Sequence, residues 1–317
     1  MPTVGFPFTT TSTVFIVVLH LANVCVFCVL TIKHDSIFFF KCFFPFMAHV
    51  YTGKIAFFSR SANAKSPASS TLFWVGDQLT SWDQYDGMRS ALSAMLSGGL
   101  SGMSMTHSDT GGYTEFAEHV YRMTRTTAML VRWLEMETFS GTMLRTHPGL
   151  LPDLSAQVNT SAVTLKATRL ASKLHGMLHP YRSLLMKEAA TVGIPLVRYM
   201  FLEFPQAENT WSSRDQFMLG HLLLVAPVFT PRSTTRTVYF PLNSTWQHVF
   251  TKETIQGQGT NVTVAVPMGT PAVFFRQNQN PLDPMVVVCE SVVQNMYEYW
   301  KTEQTAAVED LIEYIKM

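Results

Sequence analysis

Along residues 53–205, short apolar runs of strand length alternate with longer segments whose apolar residues recur at helical spacing, and polar residues gather just after the short runs. Strands are predicted at 55–58, 72–75, 101–106, 142–145 and 195–202, and helices at 88–96, 115–136 and 165–192. The first of these helices is stopped by Gly98-Gly99. A β-loop-α alternation with polar strand ends predicts the second half of a (β/α)8 barrel. Beyond Gln206 the pattern changes. Runs at 222–228, 237–240, 246–250, 262–266 and 272–275 are separated by Pro, Gly, Asn and Ser turns, which predicts an antiparallel β-sandwich. Residues 287–317 read as an amphipathic helix. The expected class is therefore α/β plus all-β. It comprises an apolar extension over 1–50, a partial barrel over 51–205, a sandwich over 206–280 and a helical tail over 281–317.

The amino end carries two opposing cues. Residues 13–32 are apolar and without formal charge, and roughly 20 such residues suffice for a membrane-spanning helix, so a membrane is an expected partner through this run. Lys33 and Lys41 follow it, which by the positive-inside tendency keeps the remainder in the cytosol. Asn159-Thr-Ser, Asn243-Ser-Thr and Asn261-Val-Thr are instead glycosylation sequons, usable only in the secretory lumen. Residues 38–46, aromatic-rich and broken by Lys41 and Pro45, follow neither helix nor strand periodicity; a mis-joined segment describes the amino end as well as an anchor does. The expected location is a membrane or the secretory pathway.

Composition narrows the function classes. The 317 residues, 47% of them hydrophobic, suit one large domain or two ordinary ones. A net charge of +1, with no basic run interleaved with aromatics, argues against nucleic acid as a partner. Cys25 and Cys28 form a Cys-x-x-Cys pair in an apolar run without a second ligand pair, so neither metal nor other cofactor is expected. There is no Gly-x-Ser-x-Gly elbow and no phosphate-binding Gly-x-x-x-x-Gly-Lys loop, which removes serine hydrolases and nucleotide chemistry. Oligomeric state leaves no signature.

The run Thr71-Leu-Phe-Trp-Val-Gly-Asp77 places a carboxylate at the carboxyl end of a strand, where α/β barrels hold their chemistry. Sugar hydrolysis needs two carboxylates flanking the bond, and Asp77 suits the proton donor; a turn or cap residue is the competing reading. Phe73, Trp74 and Trp82 offer faces for a sugar ring, or are core aromatics. His147 offers a hydrogen bond to a sugar hydroxyl, or is a loop histidine. Arg60 offers a fork of donors, or a surface salt bridge. Asp109, before Gly-Gly, serves a substrate or a tight turn equally well.

Together, Phe73-Trp-Val-Gly-Asp-Gln, Gly99-Leu-Ser-Gly, His107-Ser-Asp-Thr-Gly-Gly-Tyr, Leu144-Arg-Thr-His, Asp215-Gln-Phe-Met-Leu-Gly and Leu223-Leu-Val-Ala-Pro-Val resemble glycoside hydrolase family 31. This is the retaining α-glucosidase family, and the likeness is greatest to its sulfoquinovosidase-like branch. It covers roughly residues 51–277. The resemblance implies hydrolysis of α-glucoside-type bonds, with Asp77 as general acid/base and Arg60 and His147 lining the subsite for the cleaved sugar. It further implies that Tyr113 helps to hold a sulfonate, which makes α-sulfoquinovosides the alternative substrate. A non-catalytic, membrane-anchored sugar-binding protein is the other alternative. Two departures stand out. The family nucleophile is an Asp in a strand-end motif well upstream of the acid/base, whereas Asp35 is the sole Asp before Asp77 and lacks that motif. Between Arg60 and Thr71, Ala62-Asn-Ala-Lys-Ser-Pro-Ala stands where the family has Gly, Gln and aromatics. A polypeptide without the second carboxylate is expected to be inactive.

Overall fold

The computed structural model describes residues 13–21, 24–32, 56–60, 62, 65–68, 70–118 and 121–316. Lys33, Asp35, Lys41, Cys42 and the aromatic stretch 38–46 lie outside the described residues. The chain divides into two compact units, 1–74 and 75–317.

In the first unit, β1 (Thr13–Leu21) pairs antiparallel with β2 (Val24–Ile32), Val17 opposite Cys28. On its other side β1 pairs antiparallel with β3 (Ala56–Ser59), and β3 pairs in parallel with β4 (Leu72–Trp74). Residues 13–21 and 24–32 therefore form strands where a membrane-spanning helix was expected, and among the described residues no helix is long and apolar enough to cross a membrane. The run is rich in Val, Ile, Thr and Phe, whose branched or aromatic side chains fit a pleated surface better than the preceding turn of a helix.

The second unit opens with α1 (Met88–Leu100) and the two-residue strand β5 (Thr106–His107). Gly98-Gly99 does not stop α1. A Cβ at Gly99 would lie 2.9 Å from Pro195, so this glycine admits a close neighbour instead of ending the helix. The hairpin of β6 (Phe116–Ala117) and β7 (Arg122–Met123) occupies the start of the segment expected to be helical from 115. Helix α2 (Thr127–Ser140) begins only where the Thr126 side chain accepts the Met129 N–H, a cap that fixes the start. Residues 142–145, expected as a strand, are irregular, and a parallel bridge joins Thr110 to Thr146 just beyond them.

The helical stretch near 165–192 is two helices, α3 (Ala162–Met177) and α4 (His179–Val192). Pro180 breaks them apart: it has no N–H to give the preceding turn and its ring crowds that turn's carbonyl. Ser161 caps the start of α3, and Gly193, at φ +82°, closes α4 in the left-handed conformation.

The β domain starts at β8 (Val197–Arg198), followed by the one-turn helices α5 (Met200–Glu203) and α6 (Asn209–Ser212). Residues 195–202, expected as one strand, are thus strand and then helix. Next come β9 (Phe217–Leu219), β10 (Leu223–Val225), β11 (Thr235–Phe240), β12 (Ser244–His248), β13 (Thr254–Gly257), β14 (Thr260–Ala265) and β15 (Val273–Arg276). Six of these strands form one antiparallel sheet in the order β13-β12-β15-β10-β9-β8, and β11 pairs with β14 in a second.

Alternation gives the large sheet two cores. Met218, Leu224, Trp246 and Phe274 pack with Val238, Phe240, Val264 and Val266 of the second sheet. Their chain neighbours Phe217, Leu219, Leu223, Val225, Val273 and Phe275 share the other core with the helices: Met88, Leu92 and Met95 of α1, Trp133 of α2, and Tyr181 and Leu185 of α4. A one-residue slip in register would exchange the two sets. Helix α7 (Pro284–Lys316) adds Val286, Cys289, Val292, Val293 and Met296 to that second core, at spacings of three and four.

Candidate active site

After Trp74 the chain turns at Gly76, φ +101°, and presents Asp77 half-buried. Backbone bonds hold this turn on both sides. Val75 N–H donates to His107 O at 3.1 Å, and Gln78 Nε2 donates to Val75 O at 2.8 Å. Tyr113 and Thr114 N–H both donate to Gln78 O, at 2.9 and 3.0 Å, and the Thr114 hydroxyl donates to Asp77 O at 3.1 Å. Asp77 and Tyr113 thus stand on adjacent, laced segments.

The Asp109-Thr-Gly-Gly turn brings the next group in. Gly112, at φ +80°, has room for no Cβ, which would lie 2.8 Å from Leu79 O. Asp109 is fully buried and accepts from the Arg145 guanidinium, while Thr110 N–H donates to Arg145 O at 2.8 Å. Residues 109–110 and 145–146 therefore run side by side, and His147 emerges just past them.

The His147 ring stands edge-on to Tyr113, centroids 4.4 Å apart and planes at 90°. Gly149 N–H donates to His147 Nδ1 at 3.1 Å, so in the neutral ring the proton sits on Nε2. Burial first, then the Arg145 charge, lowers the His147 pKa, against an opposing pull from Asp77. At neutral pH His147 is a neutral donor within electrostatic reach of the Asp77 carboxylate.

Arg60 and Trp74 belong to the first unit and meet each other. Trp74 is buried, Phe58 packs edge-on to it, and the exposed Arg60 guanidinium lies 5.3 Å over the ring. Trp82 is half-buried and packs on the helical core.

Three residues that the sequence patterns did not single out hold the loops. Arg125, buried, donates to Gly112 O, Ala156 O, Pro148 O and Gln157 Oε1, spanning the glycine turn and the loop after His147. Glu115 accepts from Arg125 N–H, Leu151 N–H and the Ser155 hydroxyl. Glu137 accepts from both N–H and hydroxyl of Ser108, each at 2.8 Å. Arg125 and Glu115 gave no signal beyond being single charges near a helix start. Glu137 did, since it lies four residues after Trp133 on the apolar stripe of α2. Among the described residues no group of His, Cys, Asp and Glu is arranged to hold a metal ion.

Residues 46–182 match the TIM-barrel domain of glycosyl hydrolase family 31, and residues 193–279 match the C-terminal domain of the same family. The chain belongs to glycosyl hydrolase family 31. Enzymes of this family act on O-glycosyl bonds. The chain is 34% identical to a sulfoquinovosidase of Agrobacterium fabrum over 72% of its own length and 34% of that protein's. It is 26% identical to alpha-glucosidase 2 of Bacillus thermoamyloliquefaciens, over 73% of this chain and 28% of that one. Among solved structures, a family 31 sulfoquinovosidase from E. rectale, in complex with an aza-sugar inhibitor, superposes with a TM-score of 0.70 at 29% identity. That match covers 78% of this chain and 35% of the other. The chain spans about a third of the length of these family 31 relatives. Arg60, Asp77, Asp109, Tyr113 and His147 all fall inside the matched barrel domain, and α7 lies beyond the matched C-terminal domain.

Proposed function

We propose that this chain supplies the general acid/base and part of the sugar subsite for retaining hydrolysis of α-glycosides. The observation that carries the reading is the half-buried Asp77 carboxylate at a strand end, beside the Tyr113–His147 pair. Protonated Asp77 gives its proton to the leaving oxygen. The resulting carboxylate then deprotonates the water that releases the sugar. His147 Nε2–H, without a protein partner among the described residues, donates to a sugar hydroxyl.

The covalent step requires a second carboxylate about 5–5.5 Å from the first. The other carboxylates on this side are committed to structure: Asp109 to Arg145, Glu115 to three donors, and Glu137 to Ser108. In this reading none of these three is the nucleophile. One observation favours a sulfonated substrate. The Tyr113 hydroxyl makes no hydrogen bond among the described residues, leaving it available to an anionic oxygen beside the sugar, and the more similar relatives are named sulfoquinovosidases.

The test uses nitrophenyl α-glucoside and nitrophenyl α-sulfoquinovoside with the full chain, with and without azide as an external nucleophile. Azide attacks the anomeric carbon as the C–O bond breaks, and Asp77 protonates the departing oxygen. Azide-dependent cleavage to the β-glycosyl azide, faster for the sulfoquinovoside and slowed by Asp77→Asn, is the expected result. Hydrolysis without azide would place a nucleophile within this chain. Failure to bind either glycoside would overturn the reading.

A further inference from the structure

Beneath the strand end that carries Asp109, three buried side chains form a closed polar set. The Glu137 carboxylate takes both donors of Ser108, and Trp133 Nε1–H donates to the Ser108 hydroxyl at 2.9 Å. All three residues are sealed from solvent. Ser108 is the chain neighbour of Asp109, which in turn accepts from Arg145. Gly141, at the end of α2, leaves space for the carboxylate: a Cβ there would lie 2.5 Å from Glu137 Oε1. The charged groups facing Glu137 are Asp109 after β5 and Arg182 on α4. Arg182 is itself held by Thr138 O at 2.6 Å and His175 O at 3.3 Å.

We propose that Glu137 is a positioning residue for the candidate site: by gripping Ser108 it fixes where Asp109 stands, and through Asp109 the orientation of Arg145 and the strand end that presents His147. The inference rests on the sugar-site reading above. A carboxylate costs more to bury than a second hydroxyl or amide, and a purely structural anchor for one serine needs no charge. Its negative charge near Asp109 has a consequence a neutral anchor lacks. Burial, with the Asp109 charge adding to it, pushes the Glu137 pKa up to about 7, while the Ser108 bonds and Arg182 oppose the rise. Around neutral pH, therefore, the group behind Asp109 changes charge, and the Asp109–Arg145 pair responds.

Glu137→Gln keeps the shape and an oxygen for the Ser108 N–H, and removes the charge. The Arg145 Nε–H signal of 15N-labelled protein reports the pair directly. In the wild type that signal is expected to shift with pH through about 7, and in Glu137→Gln to stay flat. Binding of methyl α-sulfoquinovoside and methyl α-glucoside, measured by calorimetry from about pH 5.5 to 8.5, is expected to weaken about tenfold in the variant, within the range of coupling between neighbours in one network. Ser108→Ala, which removes one of the two bonds, should weaken binding less. An Arg145 signal indifferent to both pH and the substitution, or identical affinities at every pH, would overturn the positioning role and leave only a structural one. A wild type that binds neither glycoside but retains the pH-dependent Arg145 shift would instead overturn the sugar-site reading and keep the coupling.

Discussion

Two regions of the second unit bury their chain by opposite means. In the β domain, successive residues of one strand serve two apolar cores, Met218 against the small sheet and Phe217 and Leu219 against the helices. In the strand-end loops of the barrel, residues 107–115 bury His107, Ser108, Asp109 and Glu115 instead, and both carboxylates are held by specific donors. Apolar packing tolerates substitution of similar volume, because no single contact decides it. A buried ionic network does not, because removing one member strands another. The first region specifies a shape, and the second specifies where a few atoms stand.

The largest effects should come from breaking each region at its centre. Arg125→Met removes the cationic charge near the buried Glu115 and frees the Gly112 and Pro148 carbonyls, and is expected to cost about 3–5 kcal/mol in urea unfolding. Phe274→Ala, at the middle of the β domain, is expected to cost a similar amount, about 3–5 kcal/mol, by the cavity it leaves. The comparison is sharpened by a volume-conserving change. Phe274→Leu should recover most of the loss, whereas Arg125→Lys should not, because one ammonium cannot reach carbonyls spread over three loops.

Titration separates the regions next. Glu137 has a folded pKa of about 7 against an ordinary 4.5, so the folded state holds its proton longer than the unfolded one. Stability should therefore fall as pH rises from 4.5 to about 7, by on the order of 3 kcal/mol from this group, and Glu137→Gln should remove that slope. His248 in the β domain behaves oppositely. Burial lowers it to about 4 from 6.5, its Nδ1 accepts from Phe250 and Thr251 N–H, and its ring packs on Phe274. Its contribution is present above pH 6.5 and lost as pH falls toward 4, and His248→Asn should flatten the acid limb. The smallest change concerns a helix start: Thr126→Ala should cost about 1 kcal/mol, read as a lower Tm.

How much of this is legible in the sequence follows the same division. Five of the β-domain strands are legible to within a few residues, because each is a short apolar-rich run bounded by Pro, Gly, Asn and Ser turns. Asp77 is legible because a strand ending on Gly-Asp agrees with several further motifs. Residues 13–32 read as a helix because length and apolarity do not distinguish a spanning helix from two strands, whereas their Val, Ile and Thr content favours strands. The start of α2, expected at 115, lies at Thr127, because Glu115 and the hairpin of β6 and β7 mimic helical spacing and only the Thr126 cap reveals the true start. Arg125 and Glu115 are invisible because their role depends on partners 10 to 40 residues away. Glu137 is visible as a charge on an apolar stripe, without any sign of what it holds.

The central claim is that Asp77 delivers the proton to the leaving oxygen. Azide-driven cleavage of a dinitrophenyl and a phenyl glycoside of the same sugar should be compared in the wild type and in Asp77→Asn. A dinitrophenolate departs without a proton and a phenolate does not. The account predicts that the substitution slows the phenyl glycoside by about 100-fold or more and the dinitrophenyl glycoside little. Equal losses on both substrates would contradict it.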